Sequence, residues 1–290
     1  MRVAMLGFGL IGGSIARATA AGGSAGAWEI AAWTPSGRGP TAALRDGVIA
    51  EAAPTAAAAV RGAALVVLAG PPNACIELLD DLAGQLRSAL DPDVVVTDVA
   101  STKTAITLRA AALDLPFVGG HPMAGLERSG YEASTGDLFV QRPWIIVPSA
   151  APERDARVRE LAVACGARPL AMTAAAHDRA VAAISHLPLV AAASLVTSVL
   201  GSDALDEADR AAALTLAAGG WRDMTRLARG DVAMGTGIAV TNAAALAERI
   251  RAYVDVLEAW LADLEAPGGP DRDAIELRLQ AARAALEEPS

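Results

Sequence analysis

Through the first half of the chain, short apolar and β-branched runs alternate with stretches of helical periodicity. Strands are expected at Arg2–Leu6, Glu29–Trp33, Ala64–Ala69, Val94–Thr97, Phe117–Val118, Trp144–Val147 and Arg168–Ala171. Helices fit between them, at Ile11–Ala21, Asn73–Leu90 and Thr102–Leu113. Such alternation predicts a parallel sheet covered by helices. From about Thr173 the strand signals stop. Ala-rich segments follow, broken at Gly201, Gly219-Gly220, Gly230 and Pro267-Gly268-Gly269-Pro270, and they predict an all-helical region. The expected division is therefore residues 1–172 and 173–290.

Two apolar stretches imitate membrane signals. Met1–Ala25 has an early arginine, an apolar run and small residues, as a signal peptide does, but Gly7, Gly9, Gly12 and Gly13 fall at spacings with another use. Ala180–Leu200 is uncharged over about the length of a bilayer span. It contains His186, Pro188 and several hydroxyls, so a buried helix at a domain or subunit interface is expected. Composition agrees with a cytoplasmic globular protein and no membrane partner: 53% of residues are hydrophobic and 20% charged. A net charge of −9 with no basic stripe argues against nucleic acid, and it means an anionic substrate needs its own arginine. Cys75 and Cys165 have neither metal-ligand nor disulfide-framework spacing, as in a reducing compartment.

The strand Val3–Leu6 runs into Gly7-Phe8-Gly9-Leu10-Ile11-Gly12-Gly13-Ser14 and then a helix. In this setting Gly7 permits the tight turn, Gly9 lets a pyrophosphate approach, and Gly12 lets helix pack on strand. The amides of Leu10, Ile11 and Gly12, at the positive end of the helix, would face the phosphates. A Rossmann-like, doubly wound α/β fold with a dinucleotide site follows. NAD enzymes place a carboxylate at the end of the second strand. Here that place reads Thr34-Pro35-Ser36-Gly37-Arg38, hydroxyls and an arginine suited to a 2′-phosphate. NADP is the expected cofactor, with NAD as the alternative in which Arg38 is only a solvated loop charge.

In such sheets ligands bind beyond the carboxyl ends of the strands. Three segments leave there. Ala69-Gly70-Pro71-Pro72 offers a stiff wall for the cofactor through Pro71 and Pro72. Ser101 follows the strand Val94–Thr97 near a helix start, where its hydroxyl suits either helix capping or catalysis. His121, one of three histidines in 290 residues, sits in Gly119-Gly120-His121-Pro122-Met123-Ala124-Gly125, read as a strand end opening into an exposed loop. Imidazole suits proton transfer near neutrality.

These segments carry a resemblance. The Gly7–Ser14 loop, Thr97-Asp98-Val99-Ala100-Ser101-Thr102-Lys103, the stretch around His121, His177-Asp178, Ile184-Ser185-His186-Leu187-Pro188 and Gly219-Gly220-Trp221-Arg222-Asp223-Met224-Thr225-Arg226 together resemble the prephenate/arogenate dehydrogenase family. The resemblance implies oxidative decarboxylation of a cyclohexadienyl substrate in tyrosine biosynthesis, with hydride passing to a nicotinamide dinucleotide. It also implies a helical domain that forms a homodimer. Residue by residue, it implies that His121 takes the ring-hydroxyl proton, Ser101 supports it and contacts the nicotinamide, Arg226 binds a substrate carboxylate, and His186 lines the pocket. His177 reads as structural.

One position departs from the pattern. Prephenate-using members commonly follow Ser-His-Leu-Pro with a second histidine; here the residue is Leu189. Arogenate-specific relatives accept an apolar residue there, and Asp231-Val232-Ala233-Met234-Gly235-Thr236 also resembles theirs, so arogenate is the expected substrate. No appended regulatory domain is expected after Pro270, so feedback by tyrosine would act at the active site. Two other readings compete. Hydroxyacid dehydrogenases and imine reductases share the outline, but the former use a lysine on the helical domain, and residues 173–265 contain none. A non-catalytic dinucleotide-binding sensor is opposed by the retained Ser101, His121 and Arg226.

Overall fold

The structure is a computed structural model that describes residues 1–22, 28–126, 128–201 and 205–287. In chain order the first half runs β1 (Arg2–Leu6), α1 (Leu10–Ala21), β2 (Glu29–Trp33), α2 (Arg38–Arg45), β3 (Glu51–Ala52), α3 (Ala56–Val60), β4 (Leu65–Leu68), α4 (Pro72–Ala83), β5 (Val95–Asp98), α5 (Thr104–Ala112), β6 (Phe117–Val118) and β7 (Gly120–Pro122). It continues with β8 (Pro143–Ile146), α6 (Pro152–Ala164) and β9 (Arg168–Ala171). The rest is helical: α7 (Ala174–Val181), α8 (Leu187–Leu200), α9 (Glu207–Leu216), α10 (Gly219–Thr225), α11 (Val232–Thr241), α12 (Ala243–Leu264) and α13 (Arg272–Glu287).

Six parallel strands form one sheet in the order β3-β2-β1-β4-β5-β6. Strand order reverses at β1, so the chain leaves β1 and β4 in opposite directions and opens a crevice at their carboxyl ends. β1 shows why the sheet must be covered twice. Its side chains alternate, Val3 and Met5 entering one core with Ile15, Ala43, Val158 and Leu161, and Ala4 and Leu6 entering the other with Val60, Leu79, Leu82 and Ile106. Helices α1, α2 and α6 cover the first face; α3, α4 and α5 cover the second.

The strands expected at Trp144–Val147 and Arg168–Ala171 form, but outside this sheet. β8 pairs with β7 antiparallel and with β9 parallel in a separate three-stranded sheet. His121 is therefore not in an open loop as expected; it lies on β7, opposite Ile145. The helix expected across Asn73–Leu90 ends at Ala83, where Gly84 turns away, and only a 3-10 turn at Arg87–Ala89 follows.

Met1–Ala25, read as signal-like, builds β1 and α1 as far as Ala21, and its end lies outside the described residues. Ala174–Leu200 is one helical run, long and apolar enough by length and composition to cross a membrane. Pro188 has no N–H for the Ile184 carbonyl, and the helix widens to a π turn over Ala182–His186. The expectation that the apolar part is buried fails within one chain. His177, Asp178 and His186 are buried at its start, whereas Ala192 is the buried residue of α8.

Compactness divides the chain into Met1–Ala243 and Ala244–Ser290, so α7 through α11 belong to the same unit as the sheet. The second unit holds nearly all of α12 and α13, linked by an ion pair between Arg278 and Asp263.

Candidate active site

The glycine loop has the form a dinucleotide requires. Gly7 sits at φ +96°, where L side chains are strained, and a Cβ there would lie 2.6 Å from the Ala69 carbonyl carbon. A Cβ on Gly12 would meet the Gly7 carbonyl oxygen at 2.9 Å, whereas one on Gly9 would face open space. Gly7 and Gly12 are thus glycines for packing, and Gly9 is where a ligand has room. The first bond of α1 runs from the Gly13 N–H to the Gly9 carbonyl, which leaves the amides of Leu10, Ile11 and Gly12 without helical acceptors. No acidic side chain occupies that first turn. The loop and helix end fit a pyrophosphate.

At the end of β2 the Thr34 hydroxyl accepts the Gly37 N–H at 3.1 Å, fixing a turn in which Gly37 adopts φ +65°. The turn leads into an open concavity lined by Ser36, Gly37, Arg38, Thr41, Ala42 and Arg45. Two arginines and two hydroxyls here fit an anion. Thr41 and Arg45 were not foreseen, although they lie one helical turn and two beyond Arg38. Of the two prolines after β4, Pro72 is buried under α11, where a Cβ on Gly237 would come within 2.9 Å of its ring. Pro71 keeps surface at the sheet edge.

Beyond β5 lies a buried ion pair. Lys103, the only lysine in the sequence, contacts Asp98, and both side chains are fully buried. Asp98 also accepts the N–H of Ala100 and of Gly120, each at 3.1 Å. Burial pushes its carboxyl up, and the Lys103 ammonium and these amides oppose that shift. The Gly120 bond joins the Ser101 loop to the strand carrying His121. Only glycine fits there, since a Cβ on Gly120 would lie 2.7 Å from the Asp98 carbonyl oxygen.

Ser101 does not cap α5. That helix begins at Thr104, and its amide cap comes from Asp178 on α7, which accepts the Lys103 and Thr104 N–H groups at 2.8 Å each. The Ser101 hydroxyl is instead buried with no partner among the described residues. His177 joins His121 to Asp178: its Nε2 lies 2.8 Å from His121 Nδ1, and its Nδ1 lies 2.8 Å from Asp178 Oδ1. The imidazoles of His121 and His177 meet edge to face with centroids 5.0 Å apart. Asn242, after α11, donates to the Asp178 carbonyl at 2.8 Å and reaches His186 Nδ1 at 3.1 Å. The Thr102 and Thr241 hydroxyls add a bond of 2.7 Å between the same segments. All three histidines thus share one network. From the sequence His177 reads as structural, and nothing in the sequence points to Asn242.

Burial holds the His121 imidazole well below its ordinary value, reinforced by His177, Lys103 and His186. One edge of the ring stays accessible even so. Burial likewise lowers His186 to about 4; the Ser101 backbone faces it without closing a hydrogen bond to the orphaned Nε2. Burial alone would raise the Asp178 carboxyl, but the bonds from His177, Thr104 and Lys103 hold it at about 2. Arg226 is not part of this buried cluster. It lies exposed at the start of a 3-10 turn, Arg226–Arg229, packed on α8. The arrangement offers a neutral buried imidazole for moving a proton and a helix terminus for a dinucleotide.

Two family models match the chain: the nucleotide-binding domain of prephenate dehydrogenase over residues 34–170, and its dimerization domain over residues 173–267. The chain is 33% identical to the prephenate dehydrogenase of Bacillus subtilis over 258 residues, covering 87% of this chain and 67% of that protein. Synechocystis arogenate dehydrogenase is 30% identical with a TM-score of 0.74, and the match covers 99% of each chain. Prephenate dehydrogenase from A. aeolicus, solved with hydroxyphenyl propionate and NAD+, shares the fold at a TM-score of 0.84 and 24% identity, over 98% of this chain and 97% of that one.

Proposed function

This chain belongs to the prephenate dehydrogenase family, and from that premise we propose that it oxidatively decarboxylates arogenate with NADP in tyrosine biosynthesis. The observation that carries the reading is His121, a partly accessible imidazole held neutral by burial, bound to the carboxyl edge of a dinucleotide-binding sheet through the Asp98–Gly120 bond. A bound nicotinamide dinucleotide supplies the hydride acceptor. His121 removes the proton of the ring hydroxyl as the carbon bearing it loses hydride. Loss of the ring carboxylate as carbon dioxide then leaves an aromatic ring, which makes the step downhill without a covalent nucleophile.

The other roles rest on position. Ser101 has a buried hydroxyl in need of a partner, which a substrate hydroxyl or the cofactor amide satisfies. His186 has a buried Nε2 in the same condition and lines the pocket. Arg226 binds a substrate carboxylate from the segment packed on α8, with the paired geometry of a guanidinium.

Gly7, Gly9, Leu10, Ile11 and Gly12 hold the pyrophosphate, and Pro71 borders the cofactor. NADP is favoured over NAD because the end of β2 has no carboxylate, while Ser36, Arg38, Thr41 and Arg45 line one concavity; Thr34 holds its turn. Arogenate is favoured over prephenate by Leu189, an apolar residue whose side chain lies toward Gly235 and which stands where a second histidine would. The relative in Synechocystis named arogenate dehydrogenase supports this choice.

The division at residues 172 and 173 separates the dinucleotide-binding part from the helical part, supported by the last strand ending at Ala171. A cytoplasmic homodimer through the helical part would cover the apolar side of α8, where a single chain buries little. Steady-state kinetics with arogenate and prephenate, each with NADP+ and NAD+, test the reading. Arogenate with NADP+ should be the most efficient pair, and exclusive use of prephenate would overturn the substrate assignment.

A further inference from the structure

The hydrogen bonds around Asp178 determine where each histidine proton resides. An ionised carboxylate only accepts, so His177 must donate from Nδ1 to Asp178 Oδ1 at 2.8 Å. In the neutral ring that leaves Nε2 as an acceptor. His177 Nε2 faces His121 Nδ1 at 2.8 Å, so His121 donates from Nδ1 and keeps Nε2 as a lone pair.

A second path leaves the same residue through its backbone. The Asp178 carbonyl also only accepts, so the Asn242 atom 2.8 Å away is the amide nitrogen, and the amide can stand only one way round. Its second N–H points to His186 Nδ1 at 3.1 Å. His186 Nδ1 is therefore the acceptor, and its proton lies on the orphaned Nε2.

We propose that Asp178 is a positioning residue that gives the two cleft histidines opposite tautomers, His121 accepting through Nε2 and His186 donating through Nε2. Its side chain acts through His177, and its backbone through Asn242. The same carboxylate caps α5 through the Lys103 and Thr104 amides, so the tautomers are tied to the loop carrying Ser101. The consequence is a pocket with one proton acceptor and one neutral donor, suited to a substrate that loses a hydroxyl proton while another oxygen accepts a hydrogen bond. Neither histidine needs a net charge for this.

The proposal rests on the dehydrogenase reading for its use, but its test does not. Long-range proton–nitrogen NMR of the 15N-labelled full chain near neutral pH reports the tautomer of each histidine, and having only three makes assignment by single substitution direct. Wild type should show Nδ1–H for His121 and His177 and Nε2–H for His186. His177→Leu should release His121 from the Nδ1–H form and leave His186 unchanged. Asn242→Leu should do the reverse. His177→Leu should also lower turnover roughly 10²-fold or more, with little change in cofactor affinity. Should a variant fail to fold, the wild-type spectrum decides alone. His121 carrying its proton on Nε2 in active wild-type protein would overturn the proposal. The expected spectrum in a protein that oxidises neither cyclohexadienyl substrate would remove the dehydrogenase reading and leave the tautomer assignment standing.

Discussion

The Asp98 carboxylate accepts the Gly120 N–H at 3.1 Å and so fastens the strand of His121 to the end of β5. The same carboxylate is paired with Lys103, and neither side chain has any exposed surface. A buried pair of this kind adds little over an apolar substitute, but removing one partner strands a charge. Lys103→Met should cost about 3–5 kcal/mol in urea unfolding. Adding Asp98→Asn should restore part of that loss, because the stranded charge is gone. Equal stability of Lys103→Met and wild type would show that the pair does not organise the site.

The glycine loop separates folding from binding. Gly7→Ala places a methyl against the Ala69 carbonyl in a left-handed conformation and should cost at least about 2 kcal/mol. Gly9→Ala meets open space in the protein, so its stability should stay within about 0.5 kcal/mol of wild type. Its dinucleotide affinity should nevertheless fall about tenfold or more, since the methyl occupies the phosphate approach. Fluorescence titration of both variants, beside their melting curves, checks the contrast.

Much of this organisation was legible beforehand. The Arg2–Leu6 and Glu29–Trp33 strands and the glycine loop follow from local pattern, because a sheet buried on both faces needs unbroken apolar runs and the loop needs glycine. The small sheet was not legible as a separate sheet, since strand partners depend on tertiary packing that a local pattern does not encode. Ser101 was ambiguous for the same reason: its capping role is taken by Asp178, 77 positions later in the chain. His177 looked like a helix residue beside an acid. Its bond to His121 exists only because α7 packs on α5.

On the proposed NADP reading, cofactor choice would rest on the concavity after β2. Replacing Arg38 and Arg45 together by Ala should lower NADP+ efficiency roughly 10–100-fold or more, the weight of at least one charge-assisted hydrogen bond. NAD+ efficiency should be nearly unchanged. Equal losses with both cofactors would place the two arginines outside the 2′-phosphate site.

Acid should destabilise the fold earlier than carboxylate titration alone. Unfolded histidine binds its proton near pH 6.5, whereas folded His186 stays neutral down to about 4 and folded His121 is also shifted down. Their contribution is complete above pH 6.5. As pH falls below that, the unfolded state gains protons that the native state refuses, costing about 1.4 kcal/mol per pH unit for each such histidine. Asp178, held at about 2, adds a further loss between its unfolded value near 4 and about 2. Urea unfolding at about pH 7.5 and about pH 5 should show a loss of roughly 2–4 kcal/mol. In His186→Gln that loss should shrink.

We propose His121 as the base of a cyclohexadienyl dehydrogenase. The most direct measurement of that role is arogenate-dependent reduction of NADP+ by wild type and His121→Asn, followed by nicotinamide absorbance, with cofactor affinity measured for both. Wild type should turn over steadily, and His121→Asn should bind NADP+ equally well but turn over about 10²–10⁴-fold more slowly. Turnover by His121→Asn near the wild-type rate would remove His121 from the proton transfer.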